Sequence, residues 1–121
     1  MVKVPPYEIK INENKPVNCK PYPLTITQRE IARKLISDLE TSGVISRSKS
    51  PWASPAFLKK KPNSTEGRLL VDYKKVNKLI QGDSNSTPRV ATVLEAVGQG
   101  HIFSQIDLIS SYFQFQIHKN S

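Results

Sequence analysis

The stretch "TITQREIARKLISDLETSG", residues 25–43, constrains this chain more than any other. Ile31, Leu35 and Leu39 recur at helical spacing with Ala32 and Ile36 beside them, forming an apolar stripe that one helix face offers to a core. Thr27 followed by Glu30 has the pattern of a reciprocal helix cap, and Thr25 with Gln28 is an alternative start. Gly43 supplies the stop, because glycine readily takes the left-handed conformation that closes many helices. Residues 1–24, ahead of this helix, hold Pro5, Pro6, Pro16, Pro21 and Pro23 and little periodicity. They read as an extended arm, with a short strand at "YEIKI".

Beyond the helix, "GVISRSKSPWASPAFLKKK" reads as a short strand, a proline-bounded loop and a second strand, and "GRLLVDY" as another strand. "KKKPNSTEG", between two apolar runs, is rich in turn formers and predicts a hairpin loop. "DYKKVNKLI" predicts a short helix, and "TPRVATVLEAVGQG" a helix ended at Gly98. "HIFSQIDL" and "YFQFQIH" read as two further strands, the second alternating apolar and polar residues in period two. The mixture is α+β, with antiparallel hairpins and two to three helices rather than repeating βαβ units.

At 121 residues the chain fits one small domain or a piece of a larger one. Eighteen Lys and Arg against ten Asp and Glu give a net charge of +8, which favours polyanionic partners such as nucleic acid. No apolar run approaches the roughly 20 residues that a membrane helix needs. "MVKVPPYEIK" lacks the apolar core of a signal peptide, so an intracellular protein, cytoplasmic or nuclear, is expected. Cys19 is the single cysteine, and His101 and His118 lie 17 positions apart, a poor basis for disulfides or a zinc site.

Charge concentrates between Phe57 and Lys78. There Lys59, Lys60, Lys61, Arg68, Lys74, Lys75 and Lys78 face only Glu66 and Asp72, giving +5 in 22 residues. Lysines at a hairpin tip and an arginine on the returning strand suit phosphate oxygens, although lysine also protects exposed strand edges. Trp52, between two Ser-Pro steps, suits packing on the adjoining core better than stacking on a base. "GQG", Gly98 to Gly100, lacks the flanking strand and third glycine of a phosphate loop, while Asp72 and Glu95 read as surface or cap residues. Asp107 follows an apolar run, where an aspartate serves as a cap or, aimed into a cleft, as a metal ligand. A two-metal site needs several carboxylates around ions about 4 Å apart, and the nearest other acids, Asp83 and Glu95, lie upstream.

Four blocks in order carry a resemblance. "KPVNCKPYPLT", "LISDLETSGVISRSKSPWASPAFLKKK", "GRLLVDYKKVNKLI" and "PRVATVLEAVGQGHIFSQIDLISSYFQFQI" resemble, across nearly the whole chain, the N-terminal part of the reverse transcriptase domain in gypsy-type LTR retrotransposon polyproteins. They are more distantly similar to the same region of retroviruses. The resemblance implies a partial polymerase fold: an arm over residues 1–24, then fingers and the start of a palm over 25–121, reaching polymerase motif A.

By that resemblance, Asp107 matches the motif A aspartate that binds magnesium and the phosphates of the incoming nucleotide. Arg68 matches the fingers arginine on the triphosphate, and Lys60 or Lys61 the fingers lysine. Tyr112 matches the aromatic beneath the sugar, and backbone amides around Leu108, Ser110 and Ser111 would meet the phosphates. Lys59, Lys74, Lys75 and Lys78 complete a basic nucleic-acid surface. The implied partners are an RNA or DNA template-primer and a deoxynucleoside triphosphate, with Mg2+ as cofactor.

This sequence departs from the family at Ser111, where glycine is usual, and at "GDSNSTPRV", where relatives carry an aromatic and "PLPR". The family's Tyr-x-Asp-Asp carboxylates are absent from these 121 residues, so polymerisation by them alone is not expected. A basic nucleic-acid-binding module without chemistry, and an interaction partner of a full-length reverse transcriptase, are the alternatives. An uncovered strand edge at "YFQFQIH" is the expected route to self-association.

Overall fold

A computed structural model describes residues 2–64 and 66–121. Its elements are α1 (Ile26–Thr41), β1 (Ala56–Lys60), β2 (Gly67–Val71), α2 (Lys74–Asn77), α3 (Val90–Gly98) and a 3-10 turn over Ser111–Gln114. Three helices and one two-stranded antiparallel sheet make the chain α+β. The residues gather into two compact units, Lys10–Ile80 and Met1–Ile9 with Gln81–Ser121.

The Lys10–Ile80 unit is built on α1. Its cap is the Thr25–Gln28 box: Thr25 Oγ1 accepts from the Gln28 N–H at 3.3 Å, and Gln28 Oε1 accepts from the Thr25 N–H at 3.0 Å. The earlier start wins over Thr27–Glu30 because, once a helix is nucleated, each added residue contributes a ladder bond; here Arg29 N–H donates to Thr25 C=O at 2.9 Å. At the other end Gly43 sits at φ +73°. Its N–H reaches Glu40 C=O at 3.1 Å, and the Val44 N–H reaches Leu39 C=O at 3.0 Å. That pair of bonds is a Schellman motif, so the expected glycine stop forms.

The sheet is the expected hairpin. Ala56 pairs with Val71, Phe57 with Leu70, Leu58 with Leu69, Lys59 with Arg68 and Lys60 with Gly67. The same register runs past both ends, with Lys61 N–H bonded to Glu66 C=O at 3.2 Å and Asp72 N–H to Pro55 C=O at 2.8 Å. Helix α1 lies against β2. A Cβ built at Gly67 would meet Ile31 Cγ2 at 3.5 Å and Leu58 Cδ2 at 3.6 Å, so the absent side chain marks where the helix comes close. Ala32 is 5% exposed, while Ile31, Leu35, Leu39, Leu58 and Leu69 are half-buried around it. The arm straps across this unit through the Ile11–Ile80 and Asn18–Ala53 bridges. Trp52 is half-buried, in keeping with packing rather than free presentation.

One expected strand in this unit does not form. "GVIS", residues 43–46, has no ladder partner among the described residues, because the Val44 and Ile45 N–H groups are drawn back to Leu39 C=O at the helix end.

In the second unit α3 spans Val90–Gly98, as "TPRVATVLEAVGQG" predicts, with Gln99 as its C-cap. The two strands expected after it are corrected. "HIFSQIDL" has no strand and no ladder partner among the described residues, and Ile102 and Ile106 are 92% and 89% exposed. An extended run without a neighbour leaves its backbone groups to water and gains nothing from its apolar residues. "YFQFQIH" is also not a strand: Ser110 takes a left-handed conformation at φ 48°, which breaks the extension and leads into the 3-10 turn. Only Ile117 bridges, in parallel, to Tyr7; Tyr7 N–H donates to Gln116 C=O at 2.8 Å and His118 N–H to Tyr7 C=O at 2.9 Å. "YEIKI" is likewise reduced to isolated bridges at Tyr7 and Ile11. The strand edge on which the self-association expectation rests is therefore not formed.

Candidate nucleic-acid interface

Strand alternation sorts the basic residues of the hairpin by face. Cross-strand partners in an antiparallel pair share a side, and successive residues alternate. Leu58, Leu69, Ala56 and Gly67 are half-buried and lie on the face with Lys60. The opposite, solvent-facing side carries Phe57 opposite Leu70, Lys59 opposite Arg68, and Lys61 opposite Glu66. Arg68 thus shares its face with Lys59 and Lys61, and not with Lys60. Lysine at both 60 and 61 matches the resemblance equally well in sequence; the pleat separates them.

The charges on this face are unequally matched. Lys61 Nζ lies 3.3 Å from Glu66 Oε2, an exposed pair of the kind that contributes little. Lys59 and Arg68, paired directly across the ladder, take part in no ion pair among the described residues. Like charges at paired positions destabilise a sheet. An anion between them would reverse that sign, and arginine's planar fork fits phosphate oxygens in bidentate fashion. Beside the two cations Phe57 and Leu70, 39% and 36% exposed, form an apolar step.

At the base of the hairpin Asp72 is held twice. Its Oδ2 accepts from the Tyr22 hydroxyl at 2.8 Å and its Oδ1 from the Lys74 N–H at 3.1 Å. The Lys74 N–H bond, and then the Tyr22 hydroxyl, hold the Asp72 carboxyl below its ordinary value of 3.8, with Lys74 and Lys75 charges adding to the effect. The Asp72 carboxylate in turn holds the Tyr22 hydroxyl above 10.0, chiefly because the donated proton would be lost from that bond. Asp72 thus stands one position ahead of Tyr73, the N-cap of α2, and its turn bond holds the Lys74 N–H in the first turn. Lys74, Lys75 and Lys78 are all exposed, around this short helix. Sequence reasoning passed over Tyr22, which lies 50 positions from Asp72; no local signal marks such a pair.

Asp107, Leu108, Ser110, Ser111 and Tyr112 belong to the other unit. Asp107 and Leu108 precede the 3-10 turn in irregular backbone; Ser111 and Tyr112 open the turn, and Tyr112 is 92% exposed. The left-handed residue is Ser110, at φ 48°, one position before Ser111. Magnesium takes about six oxygen ligands, commonly from more than one carboxylate together with water and phosphate. Among the described residues no group of three or more metal-ligating side chains stands together, so they do not by themselves fit the ion. No helix of the described residues is long and apolar enough to cross a membrane.

Comparison with known proteins finds relatives that match over most of the chain. The chain is 34% identical over 120 residues to a Gag-Pol polyprotein of Walleye dermal sarcoma virus, a match covering 98% of this chain and 7% of that protein. It is 31% identical over 114 residues to the retrovirus-related Pol polyprotein from transposon opus of Drosophila melanogaster, covering 91% of this chain and 11% of that one. The chain is related to a segment of the Pol polyproteins. An enzymatic polyprotein of Soybean chlorotic mottle virus is 33% identical over 102 residues, or 82% of this Pol-related chain and 15% of the relative. The Pol-related chain therefore spans between 7% and 15% of these relatives' lengths. No family model matches it.

Proposed function

We propose that this Pol-related chain is the fingers and first palm segment of a reverse-transcriptase-type polymerase, and that the solvent-facing side of its hairpin binds nucleic-acid and nucleotide phosphates. The observation that carries the reading is the Lys59–Arg68 pair, two cations opposite each other across the ladder and without a counter-charge among the described residues. Lys61, on the same face, is the fingers lysine in this reading. Its exposed bond to Glu66 is weak enough for a phosphate to replace it. Phe57 and Leu70 offer an apolar surface beside the cations, where a base can lie while its phosphate meets Lys59 or Arg68. Lys74, Lys75 and Lys78 extend the positive surface along the backbone of the same ligand. Asp107 takes the part of one carboxylate in a larger metal-binding set, with Tyr112 beside the sugar.

Fluorescence anisotropy with a labelled RNA–DNA primer-template tests this. Binding should be present at low salt, and log K should fall linearly with log salt concentration. Lys59→Ala and Arg68→Ala should each weaken binding and make the salt slope shallower by about 1. Absence of binding at low salt, or slopes unaltered by both substitutions, would sink the reading.

A further inference from the structure

Tyr22 makes contacts that nothing in the phosphate-binding reading requires. It stands in the arm, yet it touches both strands of the hairpin at their open end. Its ring meets the Phe57 ring edge to face, with centroids 6.3 Å apart and planes at 69°. Its hydroxyl donates to Asp72 Oδ2 at 2.8 Å, and Asp72 itself continues the ladder through its N–H to Pro55 C=O at 2.8 Å. Through the second oxygen of Asp72 the same chain of bonds reaches the Lys74 N–H at the start of α2. One side chain thus ties the apolar step at Phe57 to the residue that sets the base of the hairpin and the first of three lysines.

We propose that Tyr22 is a positioning residue for the hairpin's binding face, fixing the Phe57 ring and, through Asp72, the α2 lysines in the arrangement that receives the nucleic-acid strand. This rests on the phosphate-binding reading of that face. The physical argument is preorganisation: a binding surface held in place before the ligand arrives loses less freedom on binding. Phe57 is exposed and gains no fixed orientation from a buried layer on its own side; the Tyr22 edge supplies it. A hydroxyl bonded to a carboxylate is also stronger than a neutral pair, so the tie holds at the surface.

The groups that face this tie are few. Asp72 and Cys19 act on the Tyr22 hydroxyl, and Lys74, Lys75 and Tyr22 act on Asp72. Nothing in the tie places Tyr22 against a phosphate, which separates positioning from contact in the measurement.

The experiment compares the whole chain with Tyr22→Phe and Asp72→Asn in primer-template binding over a range of salt, alongside an NMR titration of the Asp72 carboxyl. Tyr22→Phe keeps the ring and removes the bond. It should raise the Asp72 carboxyl pKa toward its ordinary value, and weaken binding by about threefold to tenfold with the salt slope unchanged. Asp72→Asn also removes a negative charge beside Lys74 and Lys75, so it serves as a background: there Tyr22→Phe should weaken binding markedly less than it does in the wild type. A wild-type affinity for Tyr22→Phe would overturn the proposal. So would a salt slope reduced as in Lys59→Ala, since that would make Tyr22 a contact residue. A wild-type chain that binds no nucleic acid would overturn the phosphate reading first, and this proposal with it. A chain that binds normally while the variants change nothing would overturn the Tyr22 role alone.

Discussion

Asp72 gives one carboxylate two partners, and its protonation has a direction that can be worked out. The Lys74 N–H and the Tyr22 hydroxyl favour its charged form, so its pKa in the folded chain lies below the ordinary 3.8. A lowered folded pKa means that this contribution to stability is complete above the unfolded value and is lost as pH falls through the folded one. Tyr22 runs the other way: its raised pKa makes its contribution complete below about 10 and lost as pH rises through the folded value. Asp72→Asn removes the acidic component. Thermal midpoints followed from pH 6 to pH 2 should therefore fall less steeply for Asp72→Asn than for the wild type below about pH 4. Parallel curves for the two proteins would show that the bonds to Lys74 and Tyr22 contribute nothing to folding.

At the scale of elements, the helix end allows a sharp test. A Cβ at Gly43 would meet no atom within 4 Å, yet the residue sits at φ +73°, so the cost of a side chain is conformational rather than steric crowding. Gly43→Ala should lower the stability of the chain by about 1 kcal/mol, read from the midpoint of urea unfolding. An unchanged midpoint would mean that the Schellman bonds at Val44 and Gly43 are not maintained in solution. Helix α1 was legible because its signals are local: a stripe at Ile31, Leu35 and Leu39, a capping pair, a glycine. The choice between two capping pairs two residues apart was not, since Thr25–Gln28 and Thr27–Glu30 satisfy the same rule. The hairpin was legible from its turn formers, but its faces were not. Which lysine accompanies Arg68 depends on register, and register is fixed by loop length and by which leucines the helix covers. The alternation in "YFQFQIH" describes a face that a strand would present if it had a neighbour; within the described residues it has only the Tyr7 bridge. Tyr22 shows the same limit, because the pattern of the arm says nothing about a carboxylate 50 positions away.

Across the whole molecule, burial is thin and unevenly shared between the two units. The Lys10–Ile80 unit has Ala32 buried, a five-pair ladder and a capped helix of 16 residues. In the unit with Gln81–Ser121 every residue except Ser111 and Gln114 is exposed along 81–121, and α3 has no buried residue. Local stability follows buried apolar contact and protected backbone bonding, so the two units should open at different free energies. Bonded pairs alternate along an antiparallel ladder; with Lys61–Glu66 and Pro55–Asp72 bonded at its two ends, Lys59–Arg68 falls on a bonded pair. Native-state hydrogen exchange should therefore find the amides of Lys59 and Arg68, with those of Leu35 and Leu39 in α1, the slowest of the chain. The amides of 102–108 should exchange at nearly the rate of an unstructured peptide. If that segment is protected as strongly as the hairpin, its exposed isoleucines have found a partner in solution. The expected outcome is the opposite: in one unit a hairpin firm enough to hold Lys59 and Arg68 in register, and in the other a segment whose Asp107 sits on backbone that opens freely.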